Sequence, residues 1–186
     1  MITEERMRAV VARGYGGPEV LELVTVPLPE PGPGQIRICV EAATVNPVDL
    51  TTRSGALVEA GLMTAREHTG IGWDVAGVVD RLGVGVTGFS PGQQVIGLRD
   101  LLDVSLGPYS QYLVLDAAAV APAPPGVSAV AAATMAGEAM ARNVAGPSAA
   151  LVAQGQIGKG HGPRQEPTDV LYWHTAPLHR SEPPPT

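Results

Sequence analysis

The chain has 186 residues, 45% of them apolar and 16% charged, with a formal net charge of -6; this suits one folded domain with room for part of another and excludes disorder throughout. The negative balance carries no Lys/Arg cluster, so nucleic acid and anionic membrane are excluded as expected partners and a small-molecule substrate is favoured. The single cysteine, Cys39, rules out an internal disulfide. With neither a signal-peptide core in "MITEERMRAVV" nor an apolar stretch of ~18 residues, the expectation is a cytoplasmic protein.

From Met7 to about Pro122 the chain is a series of short runs punctuated by Gly and Pro: "MRAVVA", "LELVTVPL", "QIRICVEAATV", "WDVAGVVDRLG", "QQVIGL" and "YSQYLVLD". This rhythm predicts an all-β barrel or sandwich. "PLPEPGPGQ", between the second and third runs, loses backbone donors at its prolines and is expected to be a stiff surface connection. "PVDLTTRSGALVEAGLM" predicts a helical turn or two between Val48 and Met63, with Asp49 as a cap, Gly55 and Gly61 as breakers, and Asp49 and Arg53 spaced for an i,i+4 ion pair. Gly72 and Gly77 read as the brackets of a strand, with Trp73 a large apolar side chain beside it. Pro124, Pro125 and Gly126 form a hinge. Ser128 then caps an Ala-rich helix running to about Val144, stopped by Gly146 and Pro147.

Leu151 to Thr186 is different: it holds four Gly, six Pro and three of the four histidines. No amphipathic period survives, so an irregular, partly disordered tail is expected, ending in "SEPPPT". "AALVAQGQIGKGHGPRQEP" opens as a pyrophosphate-binding turn does, with an apolar run and then glycines. Gly155, Gly158, Gly160 and Gly162 nevertheless fit neither G-x-G-x-x-G nor P-loop spacing, and Pro167 interrupts the helix such a turn must launch. A flexible Gly-rich loop is the expectation there. His161, His174 and His179 are irregularly spaced, and His68 stands alone as a solvated loop residue, so no metal site is expected.

Five stretches carry a resemblance in order: "MRAVVARGYGGPEVLEL", "VPLPEPGPGQIRICVEAATVNPVD", "TRSG", "GIGWDVAGVVDRLGVGVTGFSPGQQVIG" and "GPYSQYLVLDAAAVAPAPPGVS". Together they resemble the N-terminal, GroES-like catalytic domain of the medium-chain dehydrogenase/reductase superfamily, most closely its zinc-independent quinone oxidoreductase branch. The resemblance implies a mainly β fold, a GroES-like partly open barrel with short helices, over residues 7–125. An Ala-rich helix over 126–150 would lead towards a truncated nucleotide domain, and 151–186 would be the irregular tail.

The resemblance also implies NADPH as hydride donor and a quinone or an activated carbonyl or alkene as acceptor, the cofactor being held mainly by a Rossmann domain. No such domain is legible here, so the chain is expected to be inactive and not to bind NADPH alone. Asn46 is the implied catalytic residue, because an amide offers a donor and an acceptor to a carbonyl that gains charge; standing ahead of Pro47, it suits a turn former nearly as well. Asn46, Thr51 and Arg53 are the implied cofactor-binding residues, and Trp73 and Asp74 the implied substrate cleft. Zinc-dependent relatives have Cys where this chain has Asn46 and His-Glu where it has Trp73 and Asp74, so no zinc is expected.

Two departures stand out: Thr51 where relatives often have Tyr, and Gln93 where they usually have Asp. Strands that return from the nucleotide domain in relatives are not legible in the tail. An unpaired edge is therefore expected to favour self-association or a second chain. The alternative reading is a non-enzymatic, stand-alone β domain that binds a small apolar ligand or a protein partner.

Overall fold

The computed structural model describes residues 5–99, 102–143 and 170–172. The β-branched runs form strands where the sequence predicts them: β1 (Arg6–Arg13), β2 (Leu21–Pro27), β3 (Gln35–Thr44), β5 (Asp74–Leu82), β6 (Gln94–Leu98) and β7 (Tyr112–Asp116). Three further strands were not foreseen: β4 (His68–Gly70), β8 (Val120–Pro122) and β9 (Val170–Tyr172). Each is three residues long and is defined by its partner rather than by an alternating pattern of its own.

All strand pairings among the described residues are antiparallel. A three-stranded sheet runs β2-β1-β4, and a six-stranded sheet runs β7-β3-β5-β6-β8 with β9 added to β3. A lone bridge between Ala9 and Ser110 links the two. The fold is mainly β, as expected, and the strands do not close into a barrel among the described residues. β3 is the centre of the arrangement, since it pairs with β5 along one side and with β7 and then β9 along the other. Its Ile36, Ile38 and Val40 meet Val75, Val79, Val95 and Leu113 in the main apolar core.

The β3–β5 register shifts at Arg37/Ile38 and again at Val40/Ala42. Irregularities of this kind bend a strand and re-aim its side chains. Beyond the second shift, Ala42 joins Ala76, Ala132 and Ala133 under α3 (Ala129–Asn143), while Ala43 joins Ala12, Ile71 and Tyr109 in a separate cluster. The Ala-rich helix thus packs on the β sheet through its smallest side chains. Gly77 lies inside β5 rather than bracketing it; a Cβ there would meet the carbonyl of Cys39 across the sheet, so the residue lets two backbones approach.

The prolyl connection between β2 and β3, expected to be stiff, is fastened to the sheet. The buried Arg37 guanidinium donates to the Pro29 carbonyl at 3.0 Å, pairs with Glu30 at 2.9 Å and Asp80 at 2.6 Å, and lies 5.8 Å from the centre of the Tyr112 ring. Two expectations need correction. His68 is not a loop residue: it begins β4, opposite Arg13. The tail is not without a strand either, because β9 pairs with Ala42–Thr44 of β3; the pattern that would reveal it is absent because three residues take their conformation from the edge they join. The Gly-rich turn at 155–162, the three tail histidines and "SEPPPT" lie outside the described residues.

Candidate functional site

The open ends of β3 and β5 carry polar side chains where their middles carry apolar ones. After Thr44 the chain enters α1 (Pro47–Ser54), with Asn46 as N-cap and Pro47 in the first helical turn. Pro fits there because it has no N–H to leave unsatisfied. Gly55 then breaks the helix before α2 (Ala56–Glu59), as its position predicts.

The predicted cap is shifted. Asn46, not Asp49, is the N-cap; the Asp49 carboxylate reaches back to accept the Asn46 backbone N–H at 2.7 Å, and the Asn46 side chain faces the Asp49 N–H in a capping box. That arrangement satisfies donors a helix start leaves orphaned. The Asn46 amide nitrogen points elsewhere, donating to Asp74 Oδ2 at 2.7 Å and to the Thr44 hydroxyl at 3.1 Å. Thr44 in turn donates to the same Asp74 oxygen. Both amide hydrogens of Asn46 are therefore committed inside the protein, and the donor that the resemblance assigns to a reacting carbonyl is already engaged.

Asp49 is buried, and its remaining bonds come from distant parts of the chain: the Gly72 N–H at 3.2 Å and the Tyr109 hydroxyl at 3.1 Å. Gly72 reaches it with φ +100, a conformation that side chains disfavour. The one hydrogen of the Tyr109 hydroxyl is shared between the Asp49 carboxylate and the Thr44 carbonyl at 3.2 Å. Burial pushes the Asp49 pKa up from 3.8 to about 6, against the hydrogen bonds that lower it, and burial likewise raises that of Asp74 and of Tyr109. Asp74 Oδ1 is buried without a partner among the described residues. The cluster is a hydrogen-bonded polar lattice in which burial disfavours the charged form of both carboxyl groups.

Of the residues assigned from the sequence, Asn46 and Asp74 meet directly. Trp73 is buried, and its carbonyl accepts the Arg99 N–H at 2.7 Å. The Thr51 hydroxyl donates to the Pro47 carbonyl of its own helix at 2.9 Å. Arg53 does not pair with Asp49, whose oxygens are taken by Asn46, Gly72 and Tyr109; its Nε is buried without an acceptor among the described residues. Gln93 closes a turn by accepting the Ser90 N–H at 3.0 Å, so the amide serves there without a carboxylate.

Thr44 and Tyr109 were missed by sequence reasoning. Thr44 lies two places before Asn46 at a strand end, a spacing that could have linked them. Tyr109 lies 60 residues from Asp49, with no local signal. A cleft of about 280 Å³ lies elsewhere, lined by Arg66, Arg99, Asp103, Ser105, Tyr112 and neighbouring residues, and shares no residue with this cluster.

Residues 32–125 match the family described as the alcohol dehydrogenase GroES-like domain. The chain belongs to the medium-chain dehydrogenase/reductase superfamily. Among curated relatives, the "Quinone-oxidoreductase homolog, chloroplastic" of Spinacia oleracea is 34% identical over 66% of this chain and 36% of its own length. The "Quinone oxidoreductase" of Lama guanicoe is 40% identical over 51% of this chain and 28% of its own. The chain thus spans about a third of the length of these relatives. Among solved structures, the quinone oxidoreductase from Coxiella burnetii superposes with a TM-score of 0.65 at 26% identity, covering 84% of this chain and 47% of that one. A crystal structure of an NAD-dependent alcohol dehydrogenase gives 0.59 at 35% identity, over 66% and 41%.

At Asn46, Trp73 and Asp74, the positions that the resemblance assigns to a catalytic metal in zinc-dependent relatives, the side chains are an amide, a buried indole and a carboxylate committed to Thr44 and Asn46. That donor set does not fit zinc, which prefers thiolate and imidazole with one position open. Among the described residues no group of three or more His, Cys, Asp and Glu could hold a metal ion, and no helix is long and apolar enough to cross a membrane.

Proposed function

We propose that this chain is the β part of a zinc-free, NADPH-dependent oxidoreductase of the quinone reductase type, and that it is catalytically inert without a nucleotide-binding domain. The observation that carries the reading is the match of residues 32–125 to the GroES-like family, joined with relatives described as quinone oxidoreductases at 34% and 40% identity. The geometry supports it at one place: the ends of β3 and β5 bring Asn46 and Asp74 into contact at 2.7 Å.

When bound, NADPH supplies a hydride, and a quinone or an activated carbonyl or alkene accepts it. This chain forms one wall of the space between. The Arg53 Nε, buried without an acceptor among the described residues, fits a polar ligand on the α1 side, where Asn46 and Thr51 also lie; Trp73 and Asp74 lie on the substrate side. The lattice around Asn46 holds that wall in one geometry, which lowers the reorganisation needed when charge develops. A protein of this kind suits a reducing cytoplasm and has a small molecule, not nucleic acid or membrane, as its partner.

Two measurements test the reading. Fluorescence titration of the purified chain with NADPH is expected to show no saturable binding; micromolar affinity would overturn the claim that the chain is inert alone. Residues 1–143 joined to the nucleotide domain of a quinone oxidoreductase are expected to reduce 1,4-benzoquinone. A folded chimera that binds NADPH but transfers no hydride would favour the stand-alone binding domain instead.

A further inference from the structure

Arg99 follows β6 and reaches into the 280 Å³ cleft. Its Nη1 donates to the Leu106 carbonyl at 2.6 Å, and Nη2 makes only a 3.5 Å contact with the Val114 carbonyl. Its Nε is buried and has no acceptor among the described residues. Among the described residues no carboxylate pairs with it. Nε and Nη2 lie on one edge of a guanidinium, the edge that grips a carboxylate or phosphate with two parallel bonds. Arg99 therefore keeps its recognition edge nearly empty.

A cation removed from water is costly: burial here disfavours the charged form, and the charge of Asp116 offsets that only in part; proteins normally pair such a group directly. Among the described residues the nearby acids are engaged. Asp103 accepts the Thr64 N–H at 2.8 Å and faces Arg66 at 3.6 Å, and Asp116 accepts from Gln35 at 3.0 Å. The cleft's charged lining is thus Arg66 and Arg99 against Asp103, with hydroxyls from Ser105 and Tyr112. Asp103 also holds φ 60, the one non-glycine positive φ among the described residues. A backbone held in that region marks a loop fixed by its surroundings.

We propose that this cleft is a binding site for a small oxyanion, a carboxylate or phosphate group, gripped by the Nε–Nη2 edge of Arg99 and supported by Arg66. The Nε donor is covered by the protein, so binding requires the guanidinium to turn towards the opening. The site is separate from the Asn46–Asp74 cluster and stands whether or not the proposed hydride transfer does.

The test uses the full chain, labelled with ¹⁵N, titrated with inorganic phosphate and with acetate against sodium chloride at matched ionic strength. The Arg99 Nε–H resonance is expected to shift and saturate with phosphate or acetate and not with chloride; which of the two acts at lower concentration distinguishes phosphate from carboxylate ligands. Arg99→Lys keeps the charge but loses the two-bond edge and is expected to weaken binding about tenfold. Arg66→Gln, which leaves the Leu106 brace intact, is expected to weaken it about fivefold. A resonance that ignores both anions, or follows all salts equally, overturns the proposal. So does a response that appears only in Asp100→Asn, since Asp100, next in sequence and outside the described residues, would then be the natural partner of Arg99.

Discussion

β3 and β5 are two different materials along their length. Their middle presents Ile36, Ile38, Val40, Val75 and Val79 to a dry core; their open end presents Thr44 and Asp74 to a hydrogen-bonded cluster with Asn46, Asp49 and Tyr109. The first region lowers the free energy of folding by removing apolar surface from water. The second resists it, because two carboxyl groups sit where the charged form is disfavoured. A fold that carries such an end relies on the other for stability, which is how functional ends of sheets are commonly built.

The sharpest way to break this contrast is to cut into the core. Ile38 is fully buried in the centre of β3, and Ile38→Ala is expected to cost about 2–5 kcal/mol from lost transfer energy plus a cavity, read as a lower urea midpoint. A loss below about 1 kcal/mol would mean that the sheet relaxes around the gap and that the core is less rigid than its burial implies.

The polar end should show itself through pH. Asp49 has its folded pKa raised from 3.8 to about 6, so between those values the folded state binds more protons than the unfolded state. Stability must then fall as pH rises from about 4 to about 6, by about 3 kcal/mol for this group, and stay at that lower level above. Asp74 shifts in the same direction, whereas exposed Glu19 and Glu30 shift the opposite way. The informative quantity is therefore the difference between the wild type and Asp49→Asn in urea unfolding at pH 4, 5, 6 and 7. Asp49→Asn should flatten the fall. An unchanged slope would show that Asp49 is solvated and that the end of the sheet is wet.

A third probe sits near the start of β3, at the end away from Thr44. Arg37 is buried beneath the prolyl connection, yet its partners Glu30 and Asp80 have 61% and 30% of their side-chain surface exposed. Water screens those carboxylates, so Arg37→Met should cost only about 1–2 kcal/mol, much of it from the lost brace to Pro29. A cost as large as that of Ile38→Ala would make this ion pair part of the core.

The dry region was legible in the sequence because alternation and turn residues report burial directly: all six runs became strands. His68–Gly70 and Val120–Pro122 were not legible, since three residues next to Gly or Pro carry no period and become strands only by pairing with β1 and β6. The polar end was half legible. Asn46 and Asp74 came from a resemblance, but the lattice that commits the Asn46 amide depends on Tyr109 and Gly72, which approach Asp49 from 60 and 23 positions away. The same distance effect defeated the Asp49–Arg53 pair, for a spacing of four makes an ion pair available on a helix without making it the best partner for a buried carboxylate.

The smallest effect concerns the join between α3 and the sheet. Ser128 accepts the Ala131 N–H through its hydroxyl at 3.3 Å in an exposed position, while its carbonyl takes the Ala132 N–H at 2.8 Å. Ser128→Ala removes only the longer of these bonds, so the loss should be about 0.5–1 kcal/mol, or about 2–4 °C in Tm. Ala132 and Ala133, against Ala42 and Ala76, then hold the helix in place without its cap. Hydrogen exchange in the first turn of α3 should quicken while the amides of β3 and β5 stay protected. If β3 opened together with the helix, α3 would form one cooperative unit with the sheet, and its small-residue contact would be carrying part of the stability assigned here to Ile36, Ile38 and Val40.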